Sequence, residues 1–189
     1  MQRAHKKPVS KRAILQAVLL FLCSYLIFLI LWIQVKDRYG YIVTMIASEL
    51  VSVVKDVKFE EIKEEKGIVQ ATFSPRRMSN LLLDLPVKVN SFTFNVPLTL
   101  GILVALFPFV RRRWGAYAQA LLILFGVHLL YVFSFEANSL TTTLIQRGLE
   151  AVNNLSLVFY QFLWEFTNNM VIRFEPFLIG FYVLIRFRE

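Results

Sequence analysis

"AILQAVLLFLCSYLIFLILWIQV", residues 13 to 35, runs for 23 residues without a charged side chain. About 20 apolar residues in a helix cross the roughly 30 Å hydrocarbon core of a bilayer, so this stretch can span by itself. A cleaved secretory signal has an apolar region of about 7–15 residues followed by small ones. Here bulky Trp32, Ile33 and Gln34 close the run. The stretch therefore reads as an uncleaved first span, preceded by a basic cytoplasmic tail at 1–12.

The rest of the chain agrees with that reading. It is 57% hydrophobic and 18% charged, against about 45–50% and about 25% in soluble domains. Further spans are expected at 92–110, 114–135 and 166–185. The fold class is then a mainly α membrane protein: four transmembrane helices, a small outer α+β segment at 36–91, and an outer amphipathic helix within 136–165. A tight turn at 111–113 and a short end at 186–189 complete the cytoplasmic side.

Charge sets the orientation. Ten of the 21 basic residues lie at 1–12, 111–113 and 186–188, with Glu189 as the single acid beside them. The other eleven basic residues and twelve acids fall on the opposite side or in the fourth segment. Lys and Arg in short loops near span ends mark the cytoplasmic face, which puts both termini on the cytoplasmic side of the membrane. Arg111, Arg112, Arg113 and Trp114 are the expected anchors, with the indole at headgroup level. The basic excess has no base-stacking aromatic platform beside it, so anionic lipids, not nucleic acid, are the expected counter-charge.

Between the first two spans, Ile42, Val43, Ile46, Leu50, Val53 and Val54 repeat at helical spacing. That helix either continues the first span outward or lies on the membrane surface. After Lys55 the period becomes two. Val57 and Phe59, then Val69, Ala71 and Phe73, then Leu83, Leu85, Val87 and Val89 alternate with polar residues, with a turn at "EEKG". Pro86 marks the last of these strands as an edge. Such a sheet is too small to bury a core alone and needs a helix, the membrane or a partner chain beneath it.

Motifs for chemistry are scarce. There is no Gly-rich phosphate loop, no nucleophile elbow and no His-x-x-x-His pair. A single cysteine, Cys23, and two histidines, His5 and His128, supply neither a disulfide nor a zinc site. No cofactor is expected. Glu60, Glu61, Glu64 and Glu65, interleaved with Lys58, Lys63 and Lys66, read as a solvated hairpin face. The candidate polar site is His128, Glu136, Arg173 and Glu175, because ionisable groups in membrane segments are costly and often functional. An ion pair of Arg173 with Glu175, Glu165 or Glu136 and a helix-packing His128 are the structural alternatives. Pro176 starts or kinks the last helix.

"VNSFTFNVPLTLGILVAL", entering the second span, and the late "YQFLWEF" and "FEPFLIGFYVLI" give the chain a likeness. In these stretches it resembles the exosortase H-associated membrane proteins. Asn90, Pro97, Leu98, Tyr160, Gln161, Phe162 and Pro176 carry the resemblance. It implies a non-catalytic accessory role in envelope protein sorting, with another membrane protein, an exosortase, as partner. The exosortase resembles a cysteine transpeptidase with Cys, Arg and His on outer-facing segments. Here the one Cys lies within the first span, which is not the peptidase pattern. A small transporter or lipid-handling protein with its polar site at the outer mouth of the third and fourth spans is the alternative.

Overall fold

A computed structural model describes residues 11–76, 81–110, 114–149 and 153–187. Helix α1, Lys11–Val54, runs unbroken for 44 residues, about 66 Å at the usual helical rise. The apolar run and the helix expected after it are thus one rod. Its inward face beyond the span differs from the apolar stripe read above. Gly40, Val43, Thr44, Ala47, Ser48 and Val51 are buried, while Ile42, Leu50, Val53 and Val54 are exposed. Small residues let backbones approach closely, and here they decided which face turned in.

Strands β1 (Val57–Glu65), β2 (Ile68–Pro75) and β3 (Leu83–Lys88) form an antiparallel sheet in that order. The "EEKG" turn is a two-residue hairpin with Lys66 at φ 49° and Gly67 at φ 78°, the left-handed pair that matches strand twist. Pro86 sits on the edge strand as expected, opposite Gln70. One face of the sheet packs Val57, Ala71, Phe73, Leu83 and Leu85 onto Val51 of α1 and Ala137, Leu140 and Leu144 of helix α4, Trp114–Gln146. The sheet rests on two long helices. At its foot Val89 meets Gly40, where an added Cβ would come within 2.5 Å of both valine methyls.

The stretch expected as one span at 92–110 is instead a short α2 (Asn90–Thr93), a bend, and a ten-residue α3 (Val96–Ala105). That α3 is about 15 Å long. Gly101 lets it lie against Phe21 and Tyr25 of α1. α4 passes well beyond Phe135 to Gln146 for 33 residues, so the outer loop expected from residue 136 is mostly helix. The amphipathic segment is shorter than read: α5, Asn154–Phe166, capped by Asn153 accepting from the amides of Leu155 and Ser156. A five-residue π turn, Thr167–Val171, joins it without a break to α6, Ile172–Phe187.

Among the described residues two helices, α1 from Ile14 and α4, are long and apolar enough to cross a membrane, and Asn90–Ala105 is a shorter apolar helical stretch. The architecture is mostly helical with a small sheet. Arg111, Arg112 and Arg113 lie outside the described residues.

Candidate functional site: buried polar rungs between the helices

His128 is fully buried on α4. Its Nδ1 is 2.7 Å from the Tyr39 hydroxyl of α1, and its Nε2 is 3.3 Å from Glu175 Oε2 of α6. The second contact is at ion-pair distance but off the line of a good hydrogen bond, and both Glu175 oxygens are otherwise unpartnered among the described residues. When the Tyr39 hydroxyl donates to Nδ1, the ring proton sits on Nε2 and faces Glu175. Edge-on rings of Tyr39 and Phe92, both with centroids 5.6 Å away, enclose the imidazole. The chain Tyr39–His128–Glu175 ties three helices together.

A second rung lies further along the same helices. Ser48 donates to Glu136 Oε1 at 2.9 Å, and both residues are fully buried. The steps from Tyr39 to Ser48 and from His128 to Glu136 are about 13.5 and about 12 Å, so α1 and α4 run parallel. A third contact joins Asn95 to α6: its side-chain amide donates to the carbonyl of Ile172.

Of the four residues expected to form a polar site, the fold brings His128 and Glu175 into contact. Glu136 is held apart by two helical turns, with Ser48 as its partner. Arg173 is exposed, and among the described residues it pairs with neither Glu136 nor Glu175. Trp114 is 88% exposed. Asn90 opens α2 and accepts from Lys36 at 2.9 Å. Pro97 is buried in the first turn of α3, with Leu98 beside it half-buried. Tyr160 lies under the Lys55 ammonium at 4.7 Å, while Gln161 and Phe162 are exposed. Pro176 is buried inside α6.

Tyr39, Ser48 and Asn95 went unseen in the sequence reading. Small polar residues on a helix carry no signal until their facing helix is known. Asn95 had one available signal: a helical proline leaves the carbonyl four residues earlier without its donor, so Pro176 called for a buried donor near Ile172.

Beside these rungs a cleft of about 240 Å³ is lined by Pro86, Val87 and Lys88 of β3, Ser91 of α2, Tyr131 and Phe135 of α4, and Trp164 of α5. Among the described residues no three His, Cys, Asp or Glu side chains converge as a metal-binding group. The rungs can fix the positions of the helices against one another. Ser48, His128, Glu136 and Glu175 are buried, and Tyr39 is half-buried at the edge of the first rung.

No curated protein and no solved structure matches the chain. A family model described as exosortase H-associated membrane protein matches residues 9–187, and the chain belongs to that family.

Proposed function

We propose that the chain is a non-catalytic, polytopic inner-membrane accessory protein, a partner of an exosortase in envelope protein sorting or assembly. The match across residues 9–187 carries the reading. The polar groups inside the fold are consistent with it: they face one another between helices, and among the described residues none pairs a nucleophile with a base at an open cavity. In this reading α1, the α2–α3 segment, α4 and α6 provide four crossings. Both termini and the arginine turn are cytoplasmic, and the sheet stands on the outer side, where it would meet the partner.

Tagged full-length protein, extracted from native membranes in mild detergent, is expected to bring the exosortase down with it. A strain lacking the chain is expected to process exosortase-dependent surface proteins poorly. Normal processing in that strain, together with no co-purification, would overturn the proposal.

A second reading, a lipid-handling or small-transport role at the outer mouth of α4 and α6, is favoured by the buried His128–Glu175 contact between those two helices. Alanine at Arg173 and Glu175 separates the two. Loss of transport at normal protein level favours the second reading. A fall in protein level alone identifies Glu175 as a structural partner of His128.

A further inference from the structure

We infer that the cleft between β3 and α4 seats the headgroup of an anionic phospholipid from the leaflet on the sheet side. Its phosphate would meet Lys88 and Ser91, and its upper acyl chain would lie on Trp164 and Phe135. The inference rests on α4 crossing the membrane with Trp114 at one interface, not on lipid transport or contact with an exosortase.

Depth comes first. Tyr131 and Phe135 lie about 25 and about 31 Å along α4 from Trp114. With Trp114 at one interface, a core of about 30 Å ends at their level. Trp164 and Tyr131 are the side chains that favour such an interface, and their rings meet edge-on at 5.1 Å. Chemistry comes second. Lys88 is exposed on the cleft wall and has no ion-pair partner among the described residues. Lys36 brings a second cation to the border, since its ammonium is held on Asn90, next to Ser91. The Tyr131 hydroxyl lines the cleft beside Ser91, with which it shares a hydrogen bond, and makes a long 3.4 Å contact to Asn168.

An extended peptide is the competing occupant, and the strand edge argues against it. The amide of Val89 donates to Gly67, which sets the odd-numbered residues of β3 toward β2. Asp84, Pro86 and Lys88 therefore carry the free edge, and Pro86 removes a donor from its middle. A continuous ladder cannot form there. A volume of about 240 Å³ also accommodates a headgroup, not a folded segment.

The test uses Trp164 as its own reporter, after Trp32→Phe and Trp114→Phe in the full chain. The protein is reconstituted in phosphatidylcholine vesicles containing, as a minor component, either phosphatidylglycerol or phosphatidylcholine with brominated acyl chains. Brominated phosphatidylglycerol is expected to occupy the site about fivefold better, the contribution of one lysine at a membrane surface, and Lys88→Gln is expected to abolish the preference. Equal quenching by the two lipids in the parent protein overturns the inference and leaves the cleft to another ligand. If the tryptophan replacements do not fold, native mass spectrometry of the unaltered chain from mixed micelles decides. Retained phosphatidylglycerol that Lys88→Gln removes supports the site, and equal retention of both lipids overturns it.

Discussion

The side-chain amide of Asn95 donates to the backbone carbonyl of Ile172, the carbonyl that Pro176, four residues on, has no N–H to reach. A side chain of the segment ahead of α3 thus completes the hydrogen bonding of α6. The same interface is close-packed: a Cβ on Gly180 would come within 2.7 Å of Ile102. The π turn, Thr167–Val171, ends just before this carbonyl, with the amide of Ile172 bonding back to Thr167.

Asn95→Ala is expected to destabilise the protein by about 1–3 kcal/mol, the cost of a buried carbonyl left without a donor. In a Pro176→Ala background the new amide takes that carbonyl, and the same change should cost much less. Thermal unfolding of the four proteins in detergent gives the coupling. Equal cost of Asn95→Ala in both backgrounds would contradict this account.

At the foot of the sheet, Gly40→Ala drives a methyl into both branches of Val89. Overpacking of this kind costs about 1–3 kcal/mol. Val89→Ala in the same chain removes those branches and should recover most of the loss. Protease resistance of the β2–β3 segment, followed with the melting temperature, reads both effects.

Removing the Ser48 hydroxyl leaves a fully buried Glu136 without its donor. Ser48→Ala should therefore cost about 1–3 kcal/mol. Ser48→Ala combined with Glu136→Leu, which removes both polar partners, should lie close to the parent protein. A double variant less stable than Ser48→Ala alone would show that Glu136 has a further partner.

Lys58 first, and then the Ser74 hydroxyl, hold the Glu60 carboxyl below its ordinary value of 4.5. A carboxylate lowered in the folded state stabilises above its ordinary value, and that contribution is lost as pH falls through the folded one. A carbon-13 titration of Glu60 should show a midpoint below 4.5. Lys58→Ala should move it upward. An unmoved midpoint would mean that the ion pair does not persist in solution.

Much of this molecule was legible in local pattern. The uncharged run from Ala13 to Val35 announces a helix long and apolar enough to cross a membrane, because length and composition are read directly from the chain. The alternation from Val57 to Val89 announces three strands, and "EEKG" their turn, because periods and turn residues are properties of the chain itself. Pro86 placed β3 at an edge for the same local reason. His128 and Glu175 stood out because charge is rare in apolar surroundings, although nothing in the sequence paired them.

What the tertiary structure decided was every choice that depends on a facing surface. The large apolar residues Ile42, Leu50 and Val53 point outward, and the small ones at Gly40, Ala47 and Ser48 point in. At Gly40 the reason is contact, since a Cβ there would come within 2.5 Å of Val89. The partners of His128, Glu136 and Ile172 lie 89, 88 and 77 residues away along the chain. Hydrogen bonds across that distance exist only once the helices have packed, since each depends on the register of two rods that the sequence specifies separately.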